Sequence, residues 1–196
     1  MKKYIFLVSI IFTSCSTIKV EEQIVQDFIK EKKLKDNPNT TPTYLIEESG
    51  SNEKVLDYYE FAYLDKNSPV DKKRVEVLPN DFNNWPINLK EINDLKLTYK
   101  ANNLPYQWES KNFNSLDISI IRRKELDSKI ASQELPLTSS GNIISKPIIT
   151  SDKKYALFYY HSFLPMASIS KRIFLVEKIK NKWIIKAEFY DPNVFN

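Results

Sequence analysis

A chain of 196 residues with a formal net charge of +4 has room for one ordinary domain. It contains one histidine (His161), one cysteine (Cys15) and two widely separated glycines, Gly50 and Gly141. That inventory excludes a glycine-rich phosphate cradle, a zinc site of the usual His/Cys kind and a disulfide within the chain, so no cofactor and no metal are expected.

Lys2 and Lys3 give the N-terminus a cationic start, Tyr4 to Phe12 is apolar, and the small residues Thr13 and Ser14 lead to Cys15. This is the layout of a secretory signal. As a helix the apolar stretch would cover about 14 Å, well short of the roughly 30 Å hydrocarbon core that a stable span must cross. Phe12-Thr13-Ser14-Cys15 resembles a relaxed bacterial lipobox. That resemblance implies cleavage before Cys15 and a lipid on its sulfur, so that residues 1–14 are a signal peptide, 15–20 a tether, and 21–196 one globular domain. Two or three acyl chains anchor durably where one does not. Ser16 is not the aspartate that resembles an inner-membrane retention signal, which points to the outer membrane with either face open. Loss of Lys2 and Lys3 lowers the formal charge to +2, and the basic runs Asp71-Lys72-Lys73-Arg74 and Arg122-Arg123-Lys124-Glu125 are broken by acids. Nucleic acid is therefore not an expected partner.

Val20, Ile24, Val25, Phe28 and Ile29 recur at helical spacing and predict a helix ending near Lys33, before the turn-forming Asn37 to Pro42. Tyr44 to Ile46 suits a short strand. Val55, Tyr58, Tyr59 and Ala62 predict a second helix, and residues 65–84 read as a long loop. A third helix opens at Asn88, with Glu91 three residues on as a capping box requires and Leu89, Ile92, Leu95 and Tyr99 as its apolar stripe. Beyond Pro105 the period shortens. Leu116, Ile118 and Ile120 suit a half-buried strand, and residues 143–150, 155–161, 172–178 and 183–190 read as four more, the last two joined by a tight turn at Lys180-Asn181-Lys182. In the final strand Trp183, Ile185, Ala187 and Phe189 are expected on one face, with Lys186 and Glu188 on the wet one. The expected fold is α+β: N-terminal helices packed on a C-terminal antiparallel sheet of four to five strands.

The helix around Glu22 to Phe28, the Trp85-Pro86-Ile87 segment before a later helix, Trp108 with Phe113, and Ser145-Lys146-Pro147-Ile148 leading to Asp152-Lys153-Lys154-Tyr155 resemble a group of small, uncharacterised bacterial lipoproteins. The likeness spans most of the mature chain, with Ser-Lys-Pro-Ile its most distinctive element. Pro165-Met166-Ala167 departs from the glycine-rich hairpin expected there. The resemblance implies envelope placement and fold, and it supplies no catalytic residues.

Candidate chemistry is sparse, and no residue stands out as catalytic. His161 alone has an ordinary pKa near neutrality, but Ser162, its neighbour on a strand, points to the opposite face and makes a poor nucleophilic partner. Glu109 and Asp117 near Trp108 and Phe113 could form an acid/base pair in an aromatic cleft, as glycan hydrolases use. Eleven Phe, eleven Tyr and three Trp are the most unusual feature. Tyr155, Tyr159 and His161 should share one strand face and, if exposed, could stack on a sugar or grip a peptide. The expectation is a lipid-anchored envelope protein that binds a protein, peptide or glycan, with a carboxylate-dependent envelope hydrolase as the alternative.

Overall fold

The computed structural model describes residues 19–34, 42–52, 54–69, 72–100, 106–165 and 167–190. The signal segment, Cys15 and most of the tether lie outside the described residues. Among the described residues no helix is long and apolar enough to cross a membrane.

The elements run in the order α1 (Val20–Lys32), β1 (Thr43–Ile46), α2 (Val55–Leu64), β2 (Glu76–Leu78), α3 (Leu89–Lys100), β3 (Ser119–Ile121), α4 (Arg123–Ala131), β4 (Ser140–Ile144), β5 (Ile148–Ile149), β6 (Tyr155–Leu164), β7 (Ala167–Ile179) and β8 (Lys182–Tyr190). The architecture is α+β, as the sequence implies. Two of the finer expectations are corrected. Helices are not confined to the N-terminal part, since α4 precedes β4, and the sheet has eight strands in the order β2-β8-β7-β6-β4-β1-β3, with β5 also on β6. Nor is it wholly antiparallel, because β1 pairs in parallel with both β3 and β4.

The local chemistry of α1 explains its boundaries. The Lys19 amide donates to Glu22 Oε2 (3.2 Å), and the helix closes at Lys33 in the left-handed region (φ 53°) as the Leu34 amide bonds the Ile29 carbonyl (3.0 Å). In α3 the Glu91 amide reaches Asn88 Oδ1 (3.0 Å). Only half of the capping box forms, because Glu91 Oε1 instead accepts the Ser151 amide (3.2 Å). Of the expected stripe, Ile92 and Leu95 are buried but Leu89 is 36% exposed. The β7–β8 turn places Lys180 and Asn181 at φ 46° and 66°, the backbone of a two-residue type I′ hairpin.

Both sheet faces are covered, so neither is wet as the sequence pattern suggested. On one side α1 buries Ile24, Val25, Phe28 and Ile29 against Phe158, Phe174, Val176 and Trp183, with Trp108 and Phe113 completing the cluster. On the other, α2 and α3 bury Val55, Tyr59, Ala62, Ile92 and Leu95 against Leu157, Ile173, Leu175, Ala187 and Phe189. α4 adds Leu126 and Ile130 over Phe163, Ile46 and Ile121. The expected single face of β8 is corrected by a bulge: Leu175 pairs with Ala187 but Val176 pairs with Ile185, leaving Lys186 as the extra residue. Trp183 and Ile185 therefore face α1, whereas Ala187 and Phe189 face α2 and α3.

The expected 65–84 loop contains the edge strand β2, and the strand expected from Leu116 shrinks to β3. The Ser145-Lys146-Pro147 segment interrupts the strand expected over 143–150, because proline has no amide to give the ladder. Ser145 mends the break. Its amide donates to the Tyr159 carbonyl (2.9 Å) and its hydroxyl accepts the Tyr159 amide (2.8 Å).

Candidate functional site

β6 carries the candidate residues, and its alternation assigns them. Ala156, Phe158 and Tyr160 turn toward α1, while Tyr155, Leu157, Tyr159, His161 and Phe163 turn toward α2, α3 and α4. Tyr155, Tyr159 and His161 thus share a face, yet they do not form one patch. Leu157 is fully buried beneath α2 and α3 between Tyr155 and Tyr159, which stand about 13 Å apart along the strand. Tyr155 sits at the sheet's end with its hydroxyl donating to Glu177 Oε1 (3.2 Å). Burial, and then the Glu177 charge, push its pKa up.

Tyr159 and His161 do come together, with ring centroids 6.2 Å apart, and His161 is 5.5 Å from the Phe163 ring. They are half-buried where the cover of α2 gives way to that of α4. Gly50 packs closely beside them: a β-carbon there would stand 3.1 Å from both Ile143 and the Tyr159 ring, so either side chain would have to shift by a few tenths of an ångström. Burial pushes the Tyr159 hydroxyl up to about 12. His161 is held down to about 4, chiefly by burial and then by the Lys171 and Arg123 charges, so at neutral pH its imidazole is uncharged.

Three neighbours of this pair escaped the sequence reading. Lys171 is the cross-strand partner of His161, and locating the β6–β7 turn would have revealed it. Arg123 lies 3.7 Å above the Phe163 ring, its Nε bonded to Asp127 (3.1 Å) and its amide to Glu48 Oε2 (3.0 Å). Within the run from Arg122 to Glu125 nothing distinguishes it from a solvated charge. Tyr58 reaches Tyr159 from α2, and its charge when ionised adds to the upward shift there. Arg123 also borders a cleft of about 620 Å³ beside α4, whose walls include Asp127, Ile130, Leu135, Leu137 and Pro165. A second concavity of about 410 Å³ lies between α1 and β8. Tyr155, Tyr159 and His161 line neither.

The carboxylates Glu109 and Asp117 are both exposed. Glu109 pairs with Lys111 Nζ (2.5 Å), and the hydrogen bond from that ammonium holds its carboxyl below the usual range. Trp108 and Phe113 do not form a cleft beside them. Each is 1% exposed, they meet edge to face with centroids 5.9 Å apart, and Trp108 Nε1 donates to the Ile144 carbonyl (3.2 Å). A different acid is buried instead: Glu22, 1% exposed, accepts from the Tyr106 hydroxyl (3.1 Å) and Asn112 Nδ2 (2.6 Å) and ties the 106–112 segment to α1. Among the described residues no three of His, Cys, Asp and Glu gather as a metal site requires.

Comparison with protein-family models, with curated proteins and with solved structures finds no match to this chain.

Proposed function

We propose that the mature protein is a lipid-anchored component of the bacterial outer membrane, held through Cys15, whose domain is a non-enzymatic module for an envelope protein, peptide or glycan. The observation that carries the proposal is the order of residues 1–15: two lysines, an apolar segment too short to span, small residues, and then the chain's one cysteine. The likeness to small bacterial lipoproteins agrees with this placement.

Tyr159, His161 and Arg123 form the binding strip, continuous through Arg123 with the cleft beside α4. A tyrosine ring, a neutral imidazole and a guanidinium offer contact area and hydrogen bonds at little entropic cost. A carboxylate-pair hydrolase is disfavoured, because its general acid needs a raised pKa whereas Lys111 lowers that of Glu109. Tyr155 is left outside the strip.

The test combines two measurements on cells expressing the full chain. Metabolic labelling with an alkyne palmitate should mark the protein and be abolished in Cys15→Ser. A photoreactive residue at position 169, whose isoleucine is 51% exposed near the strip, should form a discrete adduct that His161→Ala and Arg123→Ala diminish. Unmarked protein would refute the anchor, and an adduct indifferent to both substitutions would refute the strip.

A further inference from the structure

The direction of α1 determines which end of the domain lies near Cys15. Successive polar contacts climb from helix to strand in step: Gln23 Nε2 donates to the Asn181 carbonyl (2.8 Å), Asp27 accepts the Trp183 amide (3.0 Å), and Glu31 accepts the Ile185 amide (3.0 Å). α1 therefore runs alongside β8 in the same direction, with its N-terminus at the β7–β8 turn. The Lys178 amide bonds the Lys154 carbonyl (2.8 Å), which brings the β5–β6 turn to the same end. The β6–β7 turn lies at the opposite end, about 30 Å away along the ten residues of β6.

This end is lysine-rich. Lys19, Lys153, Lys154, Lys178, Lys180 and Lys182 are all exposed there, and none has an ion-pair partner among the described residues. The nearby acids are otherwise engaged. Asp152 accepts from the Thr150 hydroxyl (2.7 Å) and the Lys154 amide (2.9 Å), Glu177 is paired with Lys186 (3.0 Å), and Glu21 with Lys146 (3.4 Å). Val20 and Ile179 leave apolar surface exposed among the lysines, at 41% each. A nearly neutral mature chain thus carries a basic end studded with aliphatic groups, the pattern that suits a headgroup layer.

We infer that this lysine-rich end rests against anionic lipid headgroups, so that the β6–β7 end points away from the bilayer. The inference rests on acylation of Cys15. Four residue-to-residue steps join Cys15 to Lys19 and span at most about 14 Å in any arrangement, so the basic end cannot leave the neighbourhood of the surface while the anchor holds. Attraction to anionic headgroups decays over a Debye length of about 8 Å at physiological salt, so contact rather than mere proximity is what the lysines favour.

The experiment uses the full acylated protein in vesicles of phosphatidylethanolamine and phosphatidylglycerol, and in vesicles of phosphatidylcholine alone. Ser151→Cys in the β5–β6 turn and Ala167→Cys in the β6–β7 turn, both exposed, are labelled in separate samples with a bulky impermeant maleimide. In the anionic vesicles at low salt, Ser151→Cys should react at least about tenfold more slowly than Ala167→Cys, as several lysines each add to the attraction. The difference should vanish in phosphatidylcholine, at high salt, and when Lys178, Lys180 and Lys182 are changed to Gln. Equal labelling of the two positions in anionic vesicles, on protein whose intact mass includes the lipid, would overturn the inference and leave the anchor standing. A mass showing unmodified Cys15, with flotation lost on both vesicle types, would overturn both. An unmodified chain that still floats with anionic vesicles and protects Ser151→Cys would uphold the lysine surface and remove the anchor.

Discussion

The sheet's two faces are closed in different ways. Against the first, α1 and the segment carrying Trp108 and Phe113 form a continuous aromatic and aliphatic layer in which Phe28 touches Phe158, Tyr160 and Phe174 at centroid distances of 4.7 to 5.3 Å. Against the second, α2 and α3 cover one part and α4 another, and Tyr159 and His161 are half-buried between them. The face with more helices thus has the less complete cover. A half-buried strip is left there because two helix groups from distant parts of the chain meet over one strand.

Substitutions should separate the two faces by the size of their effect. Phe28→Ala removes the ring at the centre of the closed side and should cost about 3–5 kcal/mol in urea unfolding, with no change in the β6-strip adduct of the surviving folded protein. A loss under about 1 kcal/mol would show that the first face is looser than described. Gly141→Ala acts on the second side, where a β-carbon would fall 2.2 Å from the Phe163 ring. It should cost about 2–3 kcal/mol, and Phe163→Leu in the same chain should recover part of the loss. Ser145→Ala removes the acceptor for the Tyr159 amide and should cost about 1–2 kcal/mol.

The smallest effect is the pH dependence of His161. Its folded pKa lies below the unfolded value, so the unfolded chain takes up the proton first as the pH falls. Its contribution is fully present above about pH 6.5 and is lost as the pH drops towards 4. His161→Gln should therefore lose less stability than the unsubstituted chain over that window. As the chain's one histidine, it gives an imidazole NMR resonance that assigns itself, and a midpoint near 6.5 would show that the gap between α2 and α4 is fully wet.

The elements legible in the sequence are those whose own period states their environment. α1 and α3 carry apolar residues at helical spacing, and β6 to β8 are long and strongly apolar. What escaped was decided by partners far along the chain. β2 is three half-buried residues that pair only through β8, and α4 offers just Leu126 and Ile130 among charged neighbours. The bulge at Lys186 is masked by the apolar pair Ile184-Ile185, which keeps the alternation plausible on either face. The same limit applies to the candidate site. His161 and Tyr159 could be placed on one face by counting, whereas Leu157 capping the gap to Tyr155, and Arg123 arriving over Phe163, depend on where α2, α3 and α4 dock. Glu109 and Asp117 are exposed beside Trp108 and Phe113 in sequence, but those aromatics are buried in the core and leave no cleft between them.

Attachment of the domain to a membrane comes down to the chemistry at Cys15, outside the described residues. Intact-mass measurement of the protein extracted from its own envelope tests it directly. The predicted result is a chain beginning at Cys15 and heavier than its amino-acid sequence by a diacylglyceryl group and an amide-linked acyl chain; a chain that still begins at Met1 and carries a free thiol would contradict it.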